Sequence, residues 1–135
     1  VLWTNRGAPL IYYGDEIGLA GAGDPDNRRM MPWNVAGYSA AQQALLAKVQ
    51  KLGAIRAAHT ALRRGDRPTL SYGDDTWVYQ MVDGADRVYV AINRSDSPAT
   101  VSGLPSGALT DQLTGEALNG PSVAVPARSA RVMTQ

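Results

Sequence analysis

Hydrophobic and polar positions change their pattern near residues 64–67, which predicts two parts, residues 1–65 and residues 66–135. In the first part, the run APLIYY at residues 8–13 is continuously apolar, as is typical of a strand buried on both faces of a parallel sheet. The glycine-rich loop that follows continues to about Gly37. It is longer than a plain connection, which favours a functional loop.

A helix is predicted after this loop. Ser39 precedes Gln42 by three residues, the spacing at which two side chains satisfy each other's free backbone N–H groups in a capping box. Apolar residues then recur at steps of three and four, with one extra leucine that widens the stripe: Leu45, Leu46, Val49, Leu52 and Ile55. Strand, long loop and helix together predict one β/α unit, and only one.

The second part alternates short apolar-rich runs with turn signals. Val88, Val90 and Ile92 alternate with more polar positions, the pattern of a half-buried strand. The segment VDGADR between two such runs predicts a hairpin. Short strands closely spaced by turns predict an antiparallel β-sandwich. The candidate strands are residues 69–73, 76–82, 87–94, 99–103, 108–115, 122–127 and 129–135.

Composition narrows the function classes. The 135 residues are 44% hydrophobic and 19% charged with a formal net charge of +1, so a modest core is expected and neither a nucleic-acid footprint nor a polybasic membrane patch is indicated. The chain has no cysteine and one histidine, which excludes disulfides, thiol nucleophiles and multi-histidine metal sites. The start, VLWTNRGAPL, has neither an initiator methionine nor a signal peptide, and we expect a fragment or a cleaved product.

The adjacent carboxylates Asp15 and Glu16 are the first candidates for acid/base chemistry. A retaining glycosidase needs two carboxyl groups about 5–5.5 Å apart across one bond. Neighbouring residues of an extended segment point to opposite faces, so these two cannot easily converge on one substrate. We therefore predict that Glu16 anchors the loop and that Asp15 is solvated.

Asp24 and Arg28 form a more promising pair. They lie four residues apart across a turn, so their side chains can meet, and a held Asp–Arg pair offers an acceptor and a planar donor fork to sugar hydroxyls. The alternative is an ordinary loop salt bridge, and Asp26 and Arg29 are interpreted as solvated or structural. Tyr12, Tyr13 and Trp33 are candidates for stacking on a sugar ring, of which Trp33 on the same loop is the best, with a packing role as the alternative for each.

Two residues near the end of the predicted helix are interpreted as structural. Arg56 falls on the apolar stripe, where a charge needs a buried partner, and we expect an ion pair with an acid, for which Glu16 is one option. His59 lies near the helix end, where an imidazole suits the helix dipole, and no recognisable Ser or Asp partner accompanies it.

Several stretches resemble a known family. GAPLIYYGDEIGLAGAGDPDNRRMMPW is similar to the region around the eighth barrel strand of the alpha-amylase superfamily of glycoside hydrolases, and KLGAIRAAHTALRRGD resembles the last barrel helix and its exit. VYVAINRS, LTDQLTGE and VAVPARSARVM resemble the C-terminal β-sandwich domain that follows the barrel. The resemblance covers essentially the whole chain in the right order.

The resemblance implies an α+β fragment: the last β/α unit of a TIM (β/α)8 barrel (1–65) followed by an antiparallel β-sandwich (66–135). The family hydrolyses or transfers α-glucans with an Asp nucleophile and a Glu acid/base on earlier barrel strands, so no catalytic residue is assigned and the chain alone is expected to be inactive. At matching positions the family's Asp and Arg, here Asp24 and Arg28, contact a glucose unit a few subsites from the cleavage point.

The implied partners are an α-glucan oligosaccharide and either the missing barrel portion or a second copy of the chain, with no nucleic acid and no membrane. No cofactor is implied for this chain, and calcium is an option only for the full-length relatives. A secreted or periplasmic location is favoured because many relatives are secreted.

Two alternatives stay open. The chain is a non-catalytic α-glucan-binding module that uses exposed Trp77, Tyr79 or Tyr89 on the sandwich, or it is a structural chain that associates with a separate barrel. The second alternative predicts that the apolar faces of residues 8–13 and of the Leu45–Leu52 stripe are exposed in the isolated chain.

Overall fold

The computed structural model describes all 135 residues. Residues 1–39 contain only short 3-10 turns, and two α-helices and eight β-strands follow. No helix is long and apolar enough to cross a membrane. The helices are α1 (Ala40–Ala58) and α2 (Ala61–Arg64). The strands are β1 (Thr69–Tyr72), β2 (Thr76–Asp83), β3 (Asp86–Asn93), β4 (Ala99–Val101), β5 (Gly107–Asp111), β6 (Ala117–Gly120), β7 (Val123–Val125) and β8 (Ser129–Thr134).

The predicted helix start is confirmed. The backbone N–H of Gln42 donates to Ser39 Oγ over 3.3 Å, and the backbone N–H of Ser39 donates to Gln42 Oε1 over 3.0 Å, so both halves of the capping box are formed. Helix α1 ends at Ala58 with His59 as its C-cap, and the apolar stripe becomes more buried along the helix. Leu45 is 36% exposed, whereas Ile55 is 6% exposed. Only the C-terminal half of α1 therefore packs fully against the rest of the chain.

The strands form two antiparallel sheets. One has six strands in the order β1-β2-β3-β8-β5-β6, and the other pairs β4 with β7. The predicted hairpin is confirmed: Asp83 pairs with Asp86 across a two-residue loop in which Gly84 has a φ of 59°. A positive φ at the first loop position is the requirement of a type II′ turn, which glycine meets without strain. Strand β6 occupies a segment where a turn was expected.

Alternation along the strands divides the core into two clusters on opposite faces of the six-stranded sheet. The first face packs against the β4–β7 sheet. The opposite face packs against the helices. The first cluster contains Val78, Tyr89, Ala91, Val101, Leu104, Leu109, Val123, Val125 and Met133. The second contains Ile55, Ala61, Leu62, Tyr79, Met81, Val88, Val90 and Val132.

Buried polar groups connect these layers. The guanidinium of Arg131 donates to Asp111 Oδ2 over 3.1 Å, to Glu116 Oε2 over 2.7 Å and to the carbonyl oxygen of Ala124 over 2.7 Å. Arg131 is 8% exposed and Asp111 is 1% exposed, so both charges are paired and hydrogen-bonded as their burial requires. The network ties β8 and β5 to β7.

An α+β fold with an antiparallel sheet is therefore confirmed, but the strand predicted at residues 8–13 is wrong, since this segment has no regular secondary structure. A strand of a parallel sheet exists through hydrogen bonds to its neighbours. Within this chain no other segment pairs with residues 8–13, and the apolar run consequently has no ladder to join.

Candidate functional site

The first turn of the loop is shaped by Gly14. Its φ is 93°, and a Cβ at this position would lie 2.8 Å from the Cβ of Leu19, so both backbone conformation and space require glycine. The carboxylate of Glu16 accepts the backbone N–H of Gly14 over 2.8 Å, while Asp15 is exposed. Glu16 thus anchors the turn and Asp15 is solvated, as predicted.

The predicted contact between Asp24 and Arg28 is confirmed. Arg28 Nε donates to Asp24 Oδ1 over 2.8 Å, and Arg28 Nη2 contacts the same oxygen. The side chains are 62% and 65% exposed, respectively. Asp24 Oδ2 and Arg28 Nη1 have no partner in the chain, so the pair keeps a free acceptor and a free donor. The role of the pair in sugar binding stays a prediction.

A second ion pair lies beside the first and differs from it in geometry. Arg29 Nε and Nη2 donate to the two oxygens of Asp26 over 2.7 and 2.8 Å, and the backbone N–H of Ala22 donates to Asp26 Oδ2 over 2.9 Å. Hydrogen bonds from Arg29 hold the pKa of Asp26 below its ordinary value, although burial opposes them. This bidentate pair fixes the loop and leaves neither carboxylate oxygen free.

The loop encloses an open pocket of about 380 Å³. Its walls include Tyr12, Tyr13, Asn27 and Arg29, and the two tyrosine rings lie 4.6 Å apart. The predicted stacking residue, Trp33, is 80% exposed and does not line this pocket. Asp24 and Arg28 do not line it either, so the pocket is separate from their ion pair. Its aromatic wall is formed by two of the predicted stacking candidates, Tyr12 and Tyr13.

The ion pair expected for Arg56 is wrong. Arg56 is 6% exposed and has no acidic partner. Its guanidinium instead donates to backbone carbonyl oxygens: those of Trp3 over 3.1 Å, Asn5 over 2.7 Å, Leu62 over 2.5 Å and Gly7. Burial, together with the charge of Arg63, lowers the pKa of this guanidinium. The role is structural, because one side chain ties the first seven residues to the C-terminal end of the helices.

His59 has an acidic partner that the sequence did not reveal. Its Nδ1 lies 2.8 Å from Asp86 Oδ1, and Asp86 Oδ2 accepts the backbone N–H of Ala61 over 2.8 Å and the Thr60 hydroxyl over 3.3 Å. Burial would raise the pKa of Asp86, but the hydrogen bonds from Ala61, His59 and Thr60 lower it overall. The contact fastens the β2–β3 hairpin to the start of α2 and has a structural role.

The alternative of a glucan-binding module that uses exposed Tyr79 or Tyr89 is contradicted by the burial of both rings. Tyr79 is 0% exposed and Tyr89 is 5% exposed. The two residues belong to opposite faces of the six-stranded sheet, and both faces are covered. Trp77 is half-buried. The packing of the layers buries both tyrosines, and of the three aromatic residues only Trp77 keeps part of its surface exposed.

No group of three or more potential metal-ligating side chains lies together in the chain.

No family model matches the chain, but comparisons with curated proteins find relatives that are similar to it over most of its length. It is 39% identical over 133 residues to a cyclomaltodextrin glucanotransferase of Geobacillus stearothermophilus, covering 93% of this chain and 17% of that protein. It is 40% identical over 119 residues to a cyclomaltodextrinase of Geobacillus thermopakistaniensis, covering 84% of this chain and 20% of that protein. The chain thus spans a fifth or less of the length of these relatives.

Solved structures show a similarity that likewise extends over most of the chain. The alpha-amylase of Anoxybacillus superposes on 98% of the chain with a TM-score of 0.87 and 29% identity, and the match covers 30% of that protein. The alpha-amylase of Geobacillus thermoleovorans, solved in complex with acarbose, superposes on 98% of the chain with a TM-score of 0.82 and 28% identity, covering 30% of that protein.

Proposed function

The chain belongs to the alpha-amylase superfamily of glycoside hydrolases, and we propose that it supplies the last β/α unit (1–65) and the C-terminal antiparallel domain (66–135) of an enzyme that acts on α-1,4-glucans or maltooligosaccharides. The catalytic carboxylates of that enzyme come from residues outside this chain. The observation that carries the proposal is the similarity over nearly the whole chain to enzymes named for cyclic maltodextrins.

The Asp24–Arg28 pair is the proposed sugar-holding element. Both side chains are largely exposed, and the pair is monodentate at the carboxylate, so Asp24 Oδ2 and Arg28 Nη1 are free for hydroxyl groups. The neighbouring Asp26–Arg29 pair already uses both carboxylate oxygens and holds the loop. The loop therefore carries two ion pairs with different proposed roles: Asp24–Arg28 binds sugar, and Asp26–Arg29 holds the loop in shape. Trp33, with 80% of its surface exposed, is the proposed stacking residue at this rim.

The distribution of exposed apolar side chains supports a barrel partner. Leu10 is 88% exposed, Met30 is 87% exposed and Leu45 is 36% exposed. The large exposed apolar side chains, with the single exception of Tyr72, lie in residues 1–45, within the proposed barrel unit (1–65). A concentration of this kind marks a surface that another polypeptide covers. We propose that the remaining strands and helices of the barrel pack against this surface.

Activity of the isolated chain is the first test. Maltoheptaose incubated with the purified 135-residue chain is expected to stay intact, because the chain lacks the two catalytic carboxylates that retaining hydrolysis requires. The products are measured by chromatography of reducing sugars. Turnover that co-purifies with the chain through several columns would contradict the proposal.

The binding pair is tested in a chimera in which this chain replaces the matching segment of the Anoxybacillus alpha-amylase. Asp24→Ala and Arg28→Ala are expected to raise KM for maltoheptaose about tenfold, which corresponds to the loss of one or two charge-assisted hydrogen bonds. The matched control is Arg6→Ala, which breaks an equally exposed ion pair of 3.4 Å with Asp66 away from the loop. An active chimera in which all three variants keep the parental KM would contradict the assignment.

A further inference from the structure

Tyr72 is an exposed aromatic side chain that the site above does not use. It ends β1 and is 85% exposed. Trp77 of β2 lies directly across the ladder from Tyr72, so the two rings stand on the same face of the sheet. Nothing in the fold requires a large ring at position 72, because the side chain buries little of its surface. An aromatic ring left in water in this way is a candidate ligand contact.

Trp77 is held in place beside it. Its Nε1 donates to Thr69 Oγ1 over 3.1 Å, and the guanidinium carbon of Arg67 lies 4.9 Å from the ring centroid. The cation–π contact and the hydrogen bond fix the indole, which is half-buried. The indole is therefore preorganised, and preorganisation lowers the entropic cost of binding. Tyr72 and Trp77, on the same face of the sheet, are called here the aromatic wall.

The wall belongs to an open pocket of about 440 Å³, called here the Tyr72 pocket, whose walls include Tyr72, Asp74, Asp75, Trp77, Ile92 and Arg94. This volume lies in the range of small-molecule sites, about 300–1,000 Å³. The pocket shares no residue with the loop that carries Asp24 and Arg28. Apart from Val1, all of its lining residues belong to the C-terminal domain.

Polar groups at the rim are only partly satisfied. Arg94 Nε donates to Asp75 Oδ1 over 2.9 Å, and the backbone N–H of Arg94 donates to the carbonyl oxygen of Asp75 over 2.9 Å, which fixes the two residues relative to each other. Asp75 Oδ2 and both Nη atoms of Arg94 have no partner in the chain. The side chains are 51% and 75% exposed, so the free acceptor and donors are open to a ligand.

We propose that the Tyr72 pocket is a second binding site for an α-glucan chain, outside the catalytic cleft. The ring of Tyr72 stacks on the apolar face of a pyranose, while Asp75 accepts and Arg94 donates hydrogen bonds to its hydroxyl groups. The aromatic wall, together with the free hydrogen-bond donors and acceptors, indicates that the ligand is a pyranose. The choice of an α-linked glucan rests on the proposed function.

Indole resonances separate the two sites. In a ¹⁵N-labelled chain, Trp77 reports on the Tyr72 pocket and Trp33 reports on the loop rim. Maltoheptaose is expected to shift the Trp77 indole signal, and Tyr72→Ala is expected to raise the apparent Kd from this signal at least about fivefold, as the loss of one stacking contact requires. Tyr72→Phe keeps the ring and is expected to stay within about twofold of the parent. Because Tyr72 is 85% exposed, the thermal midpoint of Tyr72→Ala is expected to match that of the parent.

Arg28→Ala is the matched variant in the loop that carries Asp24 and Arg28. In this variant maltoheptaose is expected to shift the Trp77 indole signal as it does in the parent. A missing Trp33 response would contradict the loop assignment and leave the Tyr72 pocket supported. The pocket proposal is overturned if saturating maltoheptaose does not move the Trp77 signal, or if Tyr72→Ala responds like the parent. An equal response to the β-linked cellohexaose would overturn the α-glucan assignment.

Discussion

Replacing Arg56 tests whether one buried cation holds the first seven residues to the helices. Its guanidinium donates to four backbone carbonyl oxygens and is 6% exposed. The carbonyl of Leu62 is the buried acceptor, and leaving it unsatisfied costs about 1–3 kcal/mol. The other three acceptors are part-buried, so water replaces the guanidinium at them and each costs about 0.5–1 kcal/mol. Removing the desolvated charge offsets part of this sum.

We expect Arg56→Met to lower the free energy of unfolding by about 3 kcal/mol, because methionine fills much of the space but donates nothing. Urea unfolding followed by far-UV circular dichroism gives the value. Arg6→Ala, which breaks only an exposed ion pair, is the control and is expected to change stability by less than about 0.5 kcal/mol. If Arg56→Met unfolds at the same urea concentration as the parent, the carbonyl oxygens do not need this donor and the reasoning fails.

Four further predictions concern stability. Gly53→Ala is expected to raise the free energy of unfolding, measured with urea, by about 0.5–1 kcal/mol, since its Cβ meets Trp3 at an ordinary 3.6 Å inside α1. Gly65→Ala is expected to cost about 1–3 kcal/mol, because its Cβ would lie 2.6 Å from two backbone carbonyl oxygens. Asp86 has a lowered pKa, so its contribution to stability is present above the ordinary carboxyl value of 3.8 and is lost as pH falls through the lower folded value. Asp86→Asn is therefore expected to be about 1 kcal/mol less stable than the parent at neutral pH and to converge with the parent in acid. A pH series of thermal midpoints measures the difference. Burial raises the pKa of Tyr79 above 10.0, so its contribution is present below that pH and is lost as pH rises through the folded value, which phenolate absorbance during alkaline titration measures.

Each of these has a control or a contrary outcome. Gly23→Ala places a Cβ where no atom lies within 4 Å and should change stability little. A Gly65→Ala variant as stable as Gly23→Ala would show that the close approach of α2 to β2 relaxes freely. If the thermal midpoints of Asp86→Asn and its parent differ by the same amount across the acid range, the charge of the carboxylate does not contribute to stability. For Tyr79, ionisation at the pKa of a free tyrosine would contradict its burial.

Features encoded by neighbours in sequence were predictable from the chain alone. The capping box of Ser39 and Gln42, the hairpin around Gly84 and the contact between Asp24 and Arg28 each depend on residues within a few positions of one another. Their geometry is set by local backbone conformation, so spacing and residue type suffice. The family resemblance likewise rests on contiguous motifs, and the comparisons bear it out.

Contacts between distant residues needed the tertiary structure. The partners of Arg56 lie at both ends of the first 65 residues, and His59 meets Asp86 across 27 positions, so no spacing rule could name them. The apolar run at residues 8–13 predicted a strand from composition, but a strand exists only where another backbone completes its ladder. Alternation placed Tyr79 on one face of the sheet. Whether that face meets water or a helix is a property of how layers stack, and only the fold decided it.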